Sequence, residues 1–232
     1  LYLFNKDLDK FQQINGLNIE KSHIRSISED SHGKIWAASL GHGIFKYNPN
    51  NKELRNYRQS QNVGLNSDYS TKILSDSLGN IWCLASGSYL HRYNHDSDTF
   101  EKILIKDKKN GMVETNAFTM CLDWKGDLWI SGWDCGIFHY SIEESCFKNY
   151  LTDRGRPILQ GRIHTIKAFE PNKIYIGSDQ GLTLFDPSTQ KYITTSYNRN
   201  NSSSLSDDFV YDILKDNEGG PWITTYFGGI NY

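Results

Sequence analysis

One aromatic residue recurs through this sequence at a nearly constant spacing. Five segments align on Trp36, Trp82, Trp129, Tyr175 and Trp222, with steps of 46, 47, 46 and 47 residues. A unit of this size cannot bury its apolar surface alone, so similar units must stack on one another. The period therefore limits the chain to repeat architectures.

Each copy has the same internal order of strands and turns. A first apolar strand such as "HIRSIS" leads to the acidic turn Asp30–Gly33, and a second strand then carries the aligned aromatic. A glycine-containing bend precedes a third strand, "IFKYN", and a polar turn precedes a fourth, "ELRNY". Four strands in one such period are typical of a propeller blade. The sequence predicts an all-β domain over residues 1–232, a β-propeller of four-stranded antiparallel blades with about five repeats of 46–47 residues.

The repeated residues are interpreted as scaffold. Asp and Gly are the residues that tight turns between strands use, and the large apolar surface of tryptophan suits packing between blades. The copy around Tyr175 departs from the pattern, because Glu170–Lys173 replaces the Asp-x-x-Gly turn and tyrosine replaces tryptophan. It is expected to be a blade with a different turn.

Composition argues against several classes of partner. Lys and Arg number 25 against 27 Asp and Glu, so the basic excess of a nucleic-acid-binding protein is absent. No apolar run approaches the roughly 18 residues that cross a membrane. The four cysteines form no C-x-x-C pair. The chain begins inside a strand, with neither an initiator Met nor a signal peptide, and we expect it to be part of a longer protein.

Motifs for catalysis or metal binding are not found in the sequence. It contains no G-x-S-x-G, H-E-x-x-H or P-loop pattern. His91 and His95 are four residues apart, which on a strand spans roughly 13 Å, too far for one metal. Asp96–Asp98 begins like a calcium loop but lacks its later glycine and glutamate. We expect no catalytic residue, no metal and no cofactor.

The first repeat resembles a known family. Ile24–Trp36 and Gly41–Asn48 are similar to the two-component regulator propeller repeat, and the resemblance spans nearly the whole chain, more weakly around Tyr175. That repeat builds the periplasmic sensor region of hybrid two-component systems of gut Bacteroidetes, which respond to oligosaccharides. The resemblance implies a segment of a seven-bladed propeller, a periplasmic location and a homodimeric full-length protein. Any membrane segment and any histidine kinase module would lie outside this chain.

Candidate ligand residues come from the loops. In a propeller, the bends after the second strands and the connections into the first strands open on one face. Here they offer aromatic and planar polar groups, which suit the faces and hydroxyls of sugars. Trp133 is the most informative, because no other copy has tryptophan there. The predicted ligand-binding residues are Trp133, Tyr226, Phe227, His42, Arg162, Asp208 and Tyr69; Arg25 and His164 belong to the wider ring.

Three functions remain open on the sequence alone. The first is an extracytoplasmic sensor that binds an oligosaccharide and passes the signal to a histidine kinase module. The second is a protein-interaction or dimerisation scaffold. The third is a propeller lyase, which would need His42 and His164 near one water or metal ion. The sensor is the preferred reading, and no enzymatic activity is expected of this segment.

Overall fold

The computed structural model describes residues 1–6, 8–107, 111–112, 115–150, 152–153, 156–157, 159 and 161–232. In these ranges it contains two short 3-10 helices, Ile19–Lys21 and Gln59–Gln61, and is otherwise built of strands and turns. Neither helix has the length that would cross a membrane. The chain divides into two compact units, Leu1–Leu104 and Ile105–Tyr232.

The first unit contains one ribbon and two four-stranded sheets, all antiparallel and paired in chain order. The ribbon is β1 (Tyr2–Asn5) and β2 (Lys10–Gln13). The first sheet is β3 (His23–Glu29), β4 (Ile35–Leu40), β5 (Ile44–Asn48) and β6 (Glu53–Tyr57). The second is β7 (Ser70–Ser75), β8 (Ile81–Ala85), β9 (Tyr89–Asn94) and β10 (Thr99–Leu104).

The second unit contains three sheets and two ribbons. The ribbons are β11 (Lys106–Asp107) with β12 (Gly111–Met112), and β17 (Thr152–Asp153) with β18 (Arg156–Pro157). Two sheets have four strands: β13 (Asn116–Leu122), β14 (Leu128–Trp133), β15 (Ile137–Ser141) and β16 (Cys146–Tyr150); then β19 (Ile163–Glu170), β20 (Lys173–Ser178), β21 (Gly181–Asp186) and β22 (Lys191–Thr195). The last has three: β23 (Val210–Lys215), β24 (Pro221–Thr225) and β25 (Gly229–Asn231).

These five sheets are the five predicted blades. Four have four strands and the last has three. Their first strands lie side by side within each unit, β3 with β7 in the first, and β13 with β19 and β19 with β23 in the second. This confirms the all-β propeller arrangement, with five blades in the described chain. The seven-bladed ring implied by the resemblance is not shown, and the single domain over residues 1–232 stays a prediction.

The aligned aromatics pack between blades where a neighbouring blade covers them. Trp36 is fully buried, and its ring centroid lies 4.7 Å from that of Tyr93 and 6.4 Å from that of Phe100, both in the next blade. Trp129 reaches Phe185 of its own next blade at 6.3 Å. Trp222 is 42% exposed. The packing role predicted from the repeat is confirmed for Trp36 and Trp129.

In the four blades that carry a tryptophan, the turn aspartate and the tryptophan form one hydrogen-bonded unit. In four blades the indole N–H donates to the Oδ2 of the aspartate six residues earlier. The four bonds are Trp36–Asp30 at 2.8 Å, Trp82–Asp76 at 2.9 Å, Trp129–Asp123 at 3.1 Å and Trp222–Asp216 at 3.0 Å. In the blade of Tyr175 both partners are replaced. Since tyrosine has no indole N–H, this blade has no counterpart of the Asp–Trp bond.

This pairing sets the charge state of the turn. Burial alone would raise the pKa of Asp30, but hydrogen bonds from the Trp36 indole and from the Lys34 and His32 amides outweigh it and hold the pKa below its ordinary value. A group whose pKa is lower in the folded than in the unfolded protein stabilises the fold above its unfolded pKa. That contribution is lost as the pH falls through the folded pKa.

We therefore expect the protein to lose stability as the pH is lowered below about 4, the ordinary aspartate pKa. Asp30→Asn removes a titrating group, so the variant should lose less stability between pH 5 and pH 3 than the wild type does. Denaturant midpoints measured across this range give the comparison. Asp96→Asn, in an exposed turn, is the control and should follow the wild type. Parallel pH profiles for the wild type and Asp30→Asn would contradict the assignment.

Candidate ligand-binding site

A β-bulge interrupts the first strand of every blade near its beginning. At each bulge one residue is skipped by the pairing with the second strand. The five skipped residues are Arg25, Thr71, Phe118, His164 and Tyr211, each eleven positions before the aligned aromatic. Bulges bend a strand and re-aim a side chain. One fixed backbone position thus carries a different residue type in every blade.

In the second unit the bulge residues join a row of aromatic rings. The His164 ring is stacked on that of Tyr211, with centroids 6.0 Å apart and an interplanar angle of 30°. The ring centroid of Tyr211 lies 6.4 Å from that of Tyr226, and the ring centroid of Tyr226 lies 4.7 Å from that of Phe227. We call His164, Tyr211, Tyr226 and Phe227 the aromatic row. Two of its members, Tyr226 and Phe227, are predicted ligand residues from the bend after β24.

Most of the aromatic row is open to solvent. Tyr211, Tyr226 and Phe227 are 51%, 65% and 80% exposed. Single exposed apolar side chains are ordinary on a protein surface, but contiguous exposed apolar groups mark binding sites. Three exposed rings in contact offer the flat apolar faces that the C–H surface of a sugar covers.

Hydrogen bonds from the backbone amides of Tyr226 and Phe227 hold this end of the aromatic row in place. The amide of Tyr226 donates to the carbonyl oxygen of Phe209 at 3.0 Å, and the amide of Phe227 donates to Oδ2 of Asp207 at 2.9 Å. The bend is therefore fixed to the segment that leads into β23. A surface that is already ordered loses less conformational entropy when a ligand binds.

His164 has a carboxylate partner. Its Nε2 lies 2.5 Å from Oδ1 of Asp179, while Oδ2 of Asp179 accepts the amide of Arg162 at 3.3 Å. The carboxylate therefore orients the imidazole at the inner end of the row. An oriented imidazole can hydrogen-bond a ligand hydroxyl or accept a proton from it.

Trp133 and Arg162, both predicted from the sequence, are neighbours in the structure. Trp133 ends β14, is 54% exposed and forms an antiparallel bridge with Arg162. The Arg162 guanidinium carbon lies 4.8 Å from the ring centroid of the bulge residue Phe118. The amide of Gly161 donates to Oδ1 of Asp134 at 2.6 Å and fixes the same corner. The structure thus packs a guanidinium on a phenyl ring and places the backbone of Trp133 beside that of Arg162.

Asp208 has a structural contact of its own. Its Oδ1 accepts the amide of Tyr197 at 2.6 Å, which ties the loop after β22 to the segment before β23. The side chain is half-buried. One of its oxygens is therefore used by the fold, and the ligand role predicted for Asp208 stays a prediction.

The remaining predicted residues, His42 and Tyr69, lie together in the first unit. The amides of Gly41 and Gly43 both donate to the carbonyl oxygen of Asp68, at 3.1 and 2.8 Å, so the bend that carries His42 rests on the segment before β7. Tyr69 is 57% exposed and bridges Leu40. The buried Nδ1 of His42 has no hydrogen-bond partner among the described residues. The seven predicted residues are therefore divided between the units, two in the first and five in the second.

Phe118 and Tyr211 are not among the residues predicted from the sequence, although Arg25 and His164 at the same repeat position are. The sequence does contain a signal for this position, because the residue eleven positions before the aligned aromatic is of a different type in every copy, unlike the repeated scaffold residues. Phe118 and Tyr211 lie within apolar strand segments, so the pattern favoured core packing for both.

The comparisons with known proteins are structural. No family model and no curated protein matches the sequence. The extracellular domain of the hybrid two component system BT4673 from B. thetaiotaomicron is similar with a TM-score of 0.82 at 18% identity, over 99% of this chain and 29% of that one. The extracellular domain of BT3049 from the same organism is similar with a TM-score of 0.71 at 18% identity, over 99% of this chain and 28% of that one. The chain has the fold of the part of each domain that it matches.

The similarity agrees with the resemblance read from the sequence, which is to the same group of proteins. The chain spans 29% of the length of the BT4673 domain. Virginiamycin B lyase from Staphylococcus aureus is also similar, with a TM-score of 0.68 at 13% identity, over 94% of this chain and 72% of that one. The propeller fold is thus shared with a lyase as well as with extracellular domains of two-component systems.

Proposed function

We propose that this chain is a ligand-sensing propeller of a two-component signalling protein, located in the periplasm, and that it binds an oligosaccharide on the aromatic row. The observation that carries the proposal is the row itself, three exposed rings in contact and an oriented imidazole. The structural similarity to extracellular domains of two-component systems supports the sensing role and the location.

The site has the parts that sugar recognition needs. The rings of Tyr211, Tyr226 and Phe227 supply apolar faces, and the phenolic hydroxyls of the two tyrosines can donate to or accept from sugar hydroxyls. The His164–Asp179 pair adds a polar group of fixed orientation. Arg162 and Trp133 extend the same kinds of group to the neighbouring blade.

Signalling would follow from a population shift. A ligand changes the balance between two arrangements only by its difference in affinity for them. An oligosaccharide that binds one arrangement of the full-length protein more tightly would favour it, and the change would pass to the histidine kinase module outside this chain. Homodimerisation of the full-length protein is part of the same proposal.

Calorimetric titration with a panel of plant and host oligosaccharides tests the binding step. Tyr211→Ala and Tyr226→Ala should each weaken a bound oligosaccharide at least about tenfold, which corresponds to about 1.4 kcal/mol. Tyr192→Ala removes a comparably exposed tyrosine from β22 and is the matched control. Equal affinities for all three variants would move the site away from the row.

The lyase is the second candidate, because the His164–Asp179 pair has the geometry of an oriented general base and the fold is shared with a lyase. Turnover of an oligosaccharide or a cyclic ester that His164→Gln abolishes would favour it over the sensor.

The scaffold alternative makes a different prediction. If the row is a protein interface, the wild type binds no oligosaccharide, and Phe227→Ala and Tyr226→Ala weaken self-association. Sedimentation analysis of these variants distinguishes it.

A further inference from the structure

The blade of β13–β16 differs from the other tryptophan blades around its Asp–Trp pair. Four residues after the turn aspartate the copies carry Lys34, Asn80, Asp127 and Gly220. Opposite the tryptophan, Lys46 and Arg92 place a cation 4.8 and 5.9 Å from the indole centroid in the first two blades. In the third blade the imidazole of His139 takes this place, 4.7 Å from Trp129. This blade alone among them combines two carboxylates with an imidazole.

The distances in this cluster fit a shared metal ion better than a hydrogen bond. Nε2 of His139 lies 3.5 Å from Oδ2 of Asp123 and 3.5 Å from Oδ2 of Asp127. Both distances exceed the usual 2.7–3.2 Å of an N–H···O bond, so one N–H shared between the two oxygens would make two long, weak bonds. Ligands about 2.0–2.1 Å from a tetrahedral zinc ion lie about 3.3 Å from one another. All three donor atoms lie within 4.8 Å of one another.

Backbone amides orient both carboxylates. Oδ1 of Asp123 accepts the amides of Lys125 and Asp127 at 2.8 and 3.1 Å, and Oδ1 of Asp127 accepts the amide of Ile142 at 2.9 Å. Each carboxylate thus uses Oδ1 on the backbone and turns Oδ2 toward the imidazole. The Trp129 indole also donates to Oδ2 of Asp123. Such outer hydrogen bonds fix the direction of metal ligands.

Solvent can reach the cluster. The side chains of His139 and Asp127 are 20% and 18% exposed, while that of Asp123 is 3% exposed. An ion could enter from the exposed side and keep water on its open coordination positions. One imidazole with two carboxylates suits first-row divalent metals, whereas calcium takes six to eight oxygen ligands.

We infer that Asp123, Asp127 and His139 form a site for one divalent first-row transition metal ion, of which Zn²⁺ is the probe of choice. The ion would link the turn between β13 and β14 to the middle of β15 and so fix three strands of one blade. We expected no metal from the sequence, and this inference replaces that expectation. It does not depend on the proposed sugar site, which uses other residues.

Calorimetric titration of the metal-free protein with ZnCl₂ tests the site. We expect one bound Zn²⁺ that His139→Gln and Asp127→Asn each weaken by more than about 100-fold, since loss of outer partners alone costs 10–100-fold. Arg92→Gln changes the equivalent position of the second blade and is the matched control; its affinity should equal that of the wild type. Unchanged affinity in both site variants, or no saturable Zn²⁺ binding, would overturn the inference.

Cobalt and calcium separate this site from the four cysteines, which form no disulfide among the described residues. Co²⁺ bound here should show visible absorption without the intense near-ultraviolet band of a thiolate ligand, and CaCl₂ in tenfold excess should not displace it. A thiolate band that persists in the His139→Gln variant would place the metal at a cysteine and contradict the proposal. Displacement of Co²⁺ by Ca²⁺ would contradict the ligand set.

Discussion

Replacing Trp36 with alanine should lower the free energy of unfolding by about 4–5 kcal/mol, near the upper end for removal of a large aromatic side chain from a core. The Trp36 side chain is fully buried, and its ring contacts three others, Tyr57, Tyr93 and Phe100. The substitution leaves a cavity between two blades. It also removes the indole N–H from Oδ2 of buried Asp30, and a buried carboxylate that loses a donor is destabilising. Chemical denaturation of both proteins measures the difference.

Trp222→Ala is the matched control for Trp36→Ala. Trp222 makes the same bond, to Asp216 at 3.0 Å, but 42% of the residue is exposed. Its loss should cost about 1 kcal/mol, mostly from the hydrogen bond. Similar losses for the two variants would mean that packing between blades contributes little and that the Asp–Trp bond carries the effect.

The fold could be predicted from the sequence because its determinants are local. The turn aspartates, the glycines and the strand lengths all lie within one period, and five copies repeat the same signal. What could not be read was the partner of each aspartate, because the bond from Asp30 to Trp36 depends on where the side chains point after the turn. The copy around Tyr175 lacks both the aspartate and the tryptophan, and this joint replacement is the sign in the sequence that the two residues interact.

The candidate site was only partly predictable, because it depends on register. The bends gave Tyr226, Phe227 and Trp133, since unrepeated aromatics in loops stand out against a repeated scaffold. Tyr211 did not stand out, because "FVYDIL" reads as a continuous apolar strand and the bulge that re-aims this side chain leaves no mark in hydrophobicity. The metal cluster was equally hidden, since His139 meets Asp123 only through the pairing of β14 with β15.

Replacing Gly43 with alanine should lower the free energy of unfolding by about 3 kcal/mol or more, from the sum of a conformational and an overpacking cost. Gly43 has a φ of 72°, and a left-handed conformation costs a residue with a Cβ about 1–2 kcal/mol. A Cβ at this position would also lie 2.1 Å from the carbonyl oxygen of Tyr57, the last residue of β6. Because that oxygen belongs to the backbone, β6 must move away from β5. Denaturant midpoints report the loss.

Gly41→Ala separates the two causes within the same bend. Gly41 also has a positive φ, 87°, but a Cβ there would lie 3.7 Å from the nearest described atom, in the Tyr69 ring, which is ordinary contact. This variant should therefore lose only the conformational part, about 1–2 kcal/mol, and the excess loss in Gly43→Ala measures the clash with β6. Equal losses in the two variants would show that β6 yields freely. In that case the loss in both variants would be conformational, and the bend would keep its hydrogen bonds to the carbonyl oxygen of Asp68.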